Sequence, residues 1–539
     1  MRRRWLGSLA VLLFLLPPAP ARAQEPPAIV VRVRSLDSVL QNARQLVTLT
    51  GEEAAARQIE GLLKAKVGTK GIEGIDPARP LGAYVRFGKD IEDISGAVLV
   101  PIADEKAFLD LLERLNQKPV KGKDNIYTVP TGKAFDLYFR FANGYAYVTG
   151  INPDNLLDKN LLNPAQVLAG KDDAVLSTLI RLEQLPEFTK NLAKSQLEEQ
   201  LQNLEAKGPP GEAPGQKAFR VALLREFART GAAILKEGAE LRFEVGLDPV
   251  AREFAATFGL TGQAGSELAK SFANLGKSQS PFAGIVKKDL AFLGAVAVTL
   301  PDDVNRAFGK VVDEAMEKGL ADVRDEQKKK QAEQLYEALA PTLRGGRLDA
   351  FLALAGPTGK HYTLLAALRL REGDKLGKTV HDLIAQSLKD LPPQEQERIH
   401  LDRDSVGAVK VHQFELPAPT TADKQFQQLI GAKDLYLAFR DDAVFFAIGK
   451  TALPALKEAV ANRDAGDVPV FLFNFDVAKM VPVLAKTSEQ QELARKVFQP
   501  GQESNLRIVA SGGDGLTLRL QLKLNALEFL AKMKDKRGE

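Results

Sequence analysis

Histidine is the residue type best suited to bind a metal or to move a proton near neutral pH, and this chain has only four. They are His361, His381, His400 and His412, all in the C-terminal half. No HExxH motif or comparable ligand spacing connects them, so the sequence predicts no metal site. The chain also has no cysteine, which excludes disulfides, thiol catalysis and cysteine-bound zinc or iron–sulfur clusters.

Two glycine-rich segments superficially resemble functional loops, but their details favour turns. Gly356 to His361 ends in histidine where a phosphate-binding loop has serine or threonine, and it lacks the first glycine of that motif. Ser511 to Gly515 joins two apolar runs, so we interpret it as a hairpin loop. No Gly-x-Ser-x-Gly elbow is present, and sequence spacing does not locate carboxylate pairs. We therefore predict no cofactor and assign no catalytic residue.

A tyrosine-rich strand pair is the best candidate for a binding surface. Asn143-Gly144 lies between two apolar runs and predicts a two-residue type I′ turn, which fixes the register of the flanking strands. One face of this pair carries Phe139 and Phe141 and is predicted to be core. The other face is amphipathic, and we predict that it binds a ligand or a partner through Tyr138, Arg140, Tyr145 and Tyr147. The alternative is that helices cover this face and that the hydroxyls reach its rim.

Residues 1–23 have the pattern of a cleaved export signal. A basic start precedes an apolar run from Trp5 to Leu16, and Ala21-Arg22-Ala23 matches a signal-peptidase site. That run is shorter than the roughly twenty residues of a spanning helix. We therefore predict a periplasmic or extracellular protein with no transmembrane segment in the mature chain. Without the four arginines of this segment, 69 basic and 69 acidic residues remain, so nucleic acid is not an expected partner.

The remaining chain repeats itself, which predicts two homologous domains at residues 28–277 and 282–533. Asp136 to Phe141 returns as Asp434 to Phe439, and four further pairs of segments match in the same order. The predicted boundary is the polar segment Gly276 to Pro281. The first half carries an inserted helical hairpin at about 195–238, with a proline- and glycine-rich tip.

Apolar residues alternate between periods of two and 3.6, which predicts interleaved strands and amphipathic helices. Because many strands are joined by tight turns, each domain should be a largely antiparallel sheet with packed helices, and the fold class is α+β. First-half strands are predicted at 29–34, 81–87, 95–102, 125–130, 135–142, 145–150, 174–182, 240–247 and 253–260. First-half helices are predicted at 37–66, 105–116, 187–207 and 217–237, and one long helix should run from Asp302 towards Ala340.

The chain resembles a group of large exported bacterial proteins. The proline- and alanine-rich export segment, the strand from Leu81 to Phe87 and the strand-to-helix transition from Ile102 to Leu112 are similar to those of uncharacterised exported proteins of planctomycete-type bacteria. The resemblance concerns the general style of the whole chain. It implies export, but it implies no activity, cofactor or site residue.

Three functions are consistent with these features. The first is an exported, non-enzymatic binding or scaffold protein whose partner is an unknown protein or an apolar ligand. The second is a periplasmic carrier of an apolar or lipid-like ligand, because curved antiparallel sheets backed by helices can enclose such molecules and the chain has 27 phenylalanines. The third is a hydrolase with a carboxylate site that the sequence pattern does not reveal.

Overall fold

The computed structural model describes residues 25–51, 72–88, 93–131, 136–170, 174–286, 290–321, 323–416 and 424–535. The predicted export segment 1–23 and the part of the first predicted helix beyond residue 51 lie outside these ranges. Helices and antiparallel strands together form the described structure, which confirms the predicted α+β class.

The helices follow the chain from the N-terminal to the C-terminal end of the described residues. They are α1 (Leu36–Thr50), α2 (Glu105–Arg114), α3 (Pro164–Val167), α4 (Glu187–Ala206), α5 (Pro214–Glu237), α6 (Glu267–Leu275), α7 (Ala283–Val286), α8 (Asp302–Ala321), α9 (Glu326–Leu343), α10 (Gly373–Leu388), α11 (Pro393–Gln396), α12 (Lys424–Ile430), α13 (Ala452–Ala461), α14 (Val481–Leu484), α15 (Ser488–Val497) and α16 (Leu524–Asp535). Short 3₁₀ turns lie at Lys123–Asn125, Pro153–Leu156, Asp158–Asn160 and Leu182–Gln184.

The strands fall into two groups along the chain. The first group is β1 (Ile29–Val33), β2 (Leu81–Arg86), β3 (Ser95–Pro101), β4 (Val120–Lys121), β5 (Tyr127–Val129), β6 (Leu137–Ala142) and β7 (Tyr145–Thr149). The second group is β8 (Leu176–Arg181), β9 (Gly238–Asp248), β10 (Glu253–Gly262), β11 (Gln279–Ser280), β12 (Phe292–Thr299), β13 (Arg347–Thr358), β14 (His361–Arg369), β15 (Ile399–Val406), β16 (Val409–Glu415), β17 (Asp434–Arg440), β18 (Ala443–Ile448), β19 (Gly466–Asp467), β20 (Phe471–Asp476), β21 (Asn505–Ser511) and β22 (Leu516–Lys523).

The described residues divide into two compact units. The first contains the residues up to Arg32 and those from 72 to Gly170, and the second contains those from Val33 to 51 and from 174 onward. These units are defined by packing, whereas the predicted domains 28–277 and 282–533 are defined by sequence similarity. The predicted domain boundaries therefore stay a prediction.

In the first unit the strands follow the order β1-β2-β3-β7-β6-β5-β4, and every pairing from β2 onward is antiparallel. Helix α2 begins after Asp104, whose carboxylate accepts a hydrogen bond from the Ala107 amide at 2.8 Å. This helix buries Phe108 against Phe139 and Phe141, with ring centroids 6.0 and 5.9 Å apart. The face that was predicted to be core is thus packed beneath α2.

The second unit contains, within its described residues, a thirteen-stranded antiparallel sheet. Its strand order is β8-β9-β10-β22-β21-β20-β12-β13-β14-β18-β17-β16-β15. Strands β11 and β19 form a separate pair. The step that joins β10 to β22 places Phe258 opposite Leu518, which are 260 positions apart in the sequence. The main buried cluster of this unit packs Phe445 and Ala447 of β18 against Leu456 of α13.

The predicted first-half strands and helices correspond to observed elements wherever the residues are described. The helical hairpin predicted at about 195–238 corresponds to α4 and α5, and its status as an insertion stays a prediction. The single long helix predicted from Asp302 towards Ala340 is wrong, because α8 ends at Ala321 and α9 starts again after Asp325. The Asp325 side chain accepts hydrogen bonds from the amides of Gln327 and Lys328 and thereby caps a new helix.

No helix within the described ranges has both the length and the apolar character that a membrane crossing requires.

Candidate functional site

The tyrosine-rich hairpin of the first unit has the predicted register. Asn143 and Gly144 both have positive φ, 51° and 72°, as a type I′ turn requires. Tyr147 pairs with Arg140 across the strands, and Tyr138 pairs with Thr149. The residues predicted to share a face therefore do share it.

That face is covered. The Tyr147 side chain is fully buried, donates its hydroxyl proton to the Leu162 carbonyl at 2.7 Å and accepts a hydrogen bond from Asn143 Nδ2 at 2.9 Å. Burial raises the pKa of Tyr147 to about 12. Tyr145 is also buried, and its hydroxyl donates to the Pro80 carbonyl at 3.0 Å. The structure agrees with the alternative interpretation, in which this face is interior.

Arg140 binds the segment around Leu156 and Asp158, which lies over this face. Its guanidinium donates to the Leu156 carbonyl at 3.1 Å and pairs with the Asp158 carboxylate at 2.6 Å. Tyr84 and Leu168 complete the buried cluster around the tyrosines. These polar groups are thus engaged within the fold, and a ligand-binding role for Tyr138, Arg140, Tyr145 and Tyr147 stays a prediction.

Two of the four histidines meet in the second unit, which the sequence spacing did not reveal. The rings of His381 on α10 and His412 on β16 have centroids 5.8 Å apart, beside a cleft of about 270 Å³. Asp402 on β15 joins them, because its amide donates to His412 Nδ1 at 3.2 Å and its carboxylate lies 3.8 Å from His381 Nε2. Burial lowers the pKa of His412, with a smaller opposing effect of Asp402 and a further lowering by His381.

The His381–His412 pair lies beside a β-bulge in β15, and no sequence motif predicts this bulge. The β15–β16 register shifts between His400 and Asp404, and Asp402 within this bulge has a positive φ of 53°. Of the other two histidines, His361 places Nδ1 3.0 Å from the Gln428 carbonyl. Across the described part of the chain, no three histidine, aspartate or glutamate side chains are grouped so that they could hold a metal ion.

Two fully buried charged residues serve the fold of the second unit. Asp349 accepts a hydrogen bond from Ser280 Oγ at 2.7 Å and lies 3.4 Å from the Arg347 guanidinium. Burial raises the pKa of Asp349, and the hydrogen bond from Ser280 opposes this rise. Arg440 pairs with Asp442 through two nitrogens and donates to the Asn462 carbonyl at 2.7 Å. Since internal partners satisfy these groups, we interpret them as structural.

Another candidate surface is one apolar face of the thirteen-stranded sheet. Directly paired residues of an antiparallel sheet point to the same side, so the registers define rows of side chains that run across the strands. The first row crosses seven adjacent strands and consists of Phe243, Phe258, Leu518, Ala510, Phe471, Val296 and Ala350. The second row is two residues further along each strand and consists of Val245, Ala256, Leu520, Ile508, Phe473, Gly294 and Leu352. We call these two sets the open rows.

Helices cover the border of this face. The next row beyond Val245 contains Leu247, which packs with Leu49 of α1 and Leu524 of α16. Phe475 in that same row packs with the cluster formed by α14, α15 and α16. Further along the sheet, Leu368 packs beneath α9 and α10.

A pair of long helices supports another border of the face. Helix α5 enters β9, and its Ile234 packs with Leu241 and Leu260, which lie on the apolar side of their strands. Helix α8 leaves β12 and packs along α5, where Phe219 and Phe308 have ring centroids 5.7 Å apart. The contact between α5 and α8 thus connects β9 with β12, which are five places apart in the sheet order.

The middle of the face remains accessible. Phe243, Phe471, Leu518 and Leu352 keep 39%, 41%, 44% and 44% of their surface exposed. From β9 to β13 the face spans six strand spacings, about 29 Å in a flat sheet. An accessible apolar surface that crosses several strands is typical of ligand-binding, partner-binding or membrane-contacting surfaces.

On β20, β12 and β13 the reverse side carries Leu472, Leu293 and Phe351 into the main buried cluster, whereas on β9, β10 and β22 it is polar. Glu253 pairs there with Lys523 at 2.9 Å and accepts a hydrogen bond from Gln521 at 2.7 Å. Arg242 lies 3.3 Å from Glu240. The alternation of these strands thus separates the open rows from a reverse side that is charged on β9, β10 and β22 and buried on β20, β12 and β13.

No protein-family model, curated protein or solved structure matches this chain. The resemblance to exported planctomycete-type proteins therefore stays a prediction.

Proposed function

We propose that the protein is a non-enzymatic binding protein that holds an apolar, lipid-like ligand on the open rows. The observation that carries this proposal is the exposure of Phe243, Phe471, Leu518 and Leu352 in the middle of a face whose border is covered by helices. Such a surface has a free-energy cost in water, which an apolar ligand would relieve.

The free energy available from covering the open rows supports an apolar ligand of acyl-chain size. Full burial of one leucine or phenylalanine side chain contributes roughly 1.5–3 kcal/mol, and covering the remaining two fifths of four such side chains contributes several kcal/mol. Together with the apolar surface of the ligand itself, this is sufficient for micromolar binding, which corresponds to about 8 kcal/mol. The open rows offer no charged group, so an uncharged chain fits them best.

We also propose that the two parts of the chain arose by duplication and that the protein is exported. In support of duplication, the order β1-β2-β3-β7-β6-β5-β4 in the first unit corresponds to β12-β13-β14-β18-β17-β16-β15 in the second. Helix α2 follows β3 as α10 follows β14. The export proposal rests on the sequence pattern of residues 1–23. An exported binding protein could carry a lipid-like ligand through an aqueous compartment.

The test of the ligand proposal is titration of the protein with the neutral apolar dye 1-N-phenylnaphthylamine. The dye should bind the wild-type protein with enhanced fluorescence, and Leu518→Gln should weaken its binding by about threefold to tenfold, since covering the exposed 44% of this leucine contributes about 0.7–1.3 kcal/mol. The matched control is Thr517→Gln, because Thr517 is the adjacent exposed residue on the polar side of β22. It should leave dye binding unchanged.

Two results would overturn the ligand proposal. One is an absence of dye binding by the wild-type protein, and the other is equal dye affinity in the Leu518→Gln and wild-type proteins. Thermal unfolding of each variant verifies that the substituted protein is folded. Organic extraction of the protein purified from its native host, followed by mass spectrometry, should identify an apolar molecule.

A further inference from the structure

A separate concave site lies at helices α14 and α15 of the second unit. It is a recess of about 450 Å³ next to the β13–β14 turn, within the size range of small-molecule sites. Its apolar wall is formed by Val481, Pro482, Ala494 and Phe498. The wall is firmly supported, since Ala494 is buried and Phe498 packs on Phe529 with ring centroids 5.1 Å apart.

Two cations line the same recess, Lys360 from the β13–β14 turn and Arg495 from α15. Neither forms an ion pair or a side-chain hydrogen bond with any described residue. Neighbouring cations behave differently, because Lys496 pairs with Glu492 at 2.7 Å and Lys479 pairs with Asp476 at 3.4 Å. The recess thus combines an apolar wall with two positive charges that have no protein counter-ion among the described residues.

We propose that this recess binds an anionic amphiphile, a medium-chain alkyl carboxylate, with its carboxylate between Lys360 and Arg495 and its chain against Val481 and Phe498. A guanidinium favours carboxylate through paired hydrogen bonds, and a lysine adds a point charge. The apolar wall accounts for the alkyl chain, because a small hydrophilic anion would leave it in water. This site is distinct from the open rows and does not depend on their function.

The experiment is isothermal titration calorimetry of the full chain with decanoate and with decanol at pH 7.5. The wild-type protein should bind decanoate more tightly than decanol, and this preference should weaken at high salt, since exposed charges are screened. Lys360→Gln and Arg495→Gln should each weaken decanoate binding by about threefold to fivefold, and the double variant by about tenfold. Decanol binding should not change. Lys496→Gln is the matched control, because Lys496 is adjacent to Arg495 on the same helix and already has a partner.

Each alternative result overturns the proposal. Equal affinity for decanoate and decanol would show that the recess does not recognise the carboxylate. An unchanged affinity of the double variant for decanoate would show that Lys360 and Arg495 do not bind it. Leu518→Gln, which alters the open rows, should keep the decanoate preference. A loss of the preference in that variant would show that decanoate binds at the open rows and not in the recess. Failure of dye binding by the wild-type protein would contradict the proposed function of the open rows but not the proposal for the recess.

Discussion

Phe243 lies directly opposite Phe258 in the β9–β10 ladder, on the apolar side of the sheet, yet 39% of Phe243 remains exposed to solvent. Paired aromatic residues of this kind normally stabilise a sheet under a cover of helices. Here the described helices cover the border and leave the middle exposed, which distinguishes the open rows from an ordinary core.

Truncation of an open-row residue should cost little stability. Leu518→Ala is expected to change the free energy of unfolding by less than about 1 kcal/mol, because the side chain is already 44% exposed. Phe445→Ala in the buried cluster against α13 should cost about 3–5 kcal/mol, because it leaves a cavity. Urea unfolding of the two variants provides the measurement. Similar losses in both would mean that the open rows are core and would remove the basis for a ligand there.

Replacement of the buried Arg440 should be strongly destabilising. Arg440 is 1% exposed, and Arg440→Met leaves the Asp442 carboxylate and the Val460 and Asn462 carbonyls without their donor. We expect a loss of about 2–4 kcal/mol in the free energy of unfolding. Arg463→Met is the control, since Arg463 pairs with Asp441 at the surface, and it should change stability by less than about 0.5 kcal/mol. Equal effects of the two substitutions would contradict the assigned role of Arg440.

His412 should make the stability of the protein depend on pH. Burial lowers the pKa of His412 below its ordinary value of 6.5, so the unfolded chain takes up this proton at a higher pH than the folded protein does. The contribution of His412 to stability is therefore fully present above pH 6.5 and is lost as the pH falls from there through the lowered pKa.

The variant His412→Asn isolates this effect. Its amide oxygen can replace Nδ1 as the acceptor for the Asp402 amide, and it does not titrate. Urea unfolding at pH 8, 7, 6 and 5 should show a smaller acid loss in His412→Asn than in the wild-type protein. His381→Gln should reduce the loss in part, because His381 helps to lower the pKa of His412. Parallel pH profiles for His412→Asn and wild type would refute this account.

The tyrosine face of the first unit should contribute to stability. Tyr147→Phe removes the hydroxyl that donates to the Leu162 carbonyl and accepts from Asn143, and we expect a loss of about 1–2 kcal/mol. Tyr138→Phe is the control, because the Tyr138 hydroxyl has no hydrogen bond with a described residue. Thermal unfolding measures both. If this face instead binds a ligand, Tyr138→Phe should weaken binding of that ligand and leave the thermal stability unchanged.

The sequence was informative where local periodicity sets the structure. The Asn143-Gly144 turn predicted the register of β6 and β7, and with it the side on which Tyr147 and Arg140 lie. The apolar periodicity of the sequence also predicted helices at 187–207 and 217–237, whose ends lie within three residues of those of α4 and α5. The sequence prediction failed at residues 323–325, where the Asp325 side chain caps a new helix and the chain is not helical.

Alternation along a strand establishes which residues share a face, and so the sequence by itself determined that Phe243 and Val245 lie together, as do Leu518 and Leu520. It cannot specify what covers that face. Only the tertiary structure pairs β10 with β22, aligns the apolar sides of strands from distant parts of the chain, and confines the helices to the border. It alone also brings His381 to His412. The physical reason is that side-chain periodicity is a local property of the backbone, whereas strand partners and helix positions are selected by contacts between residues far apart in the sequence.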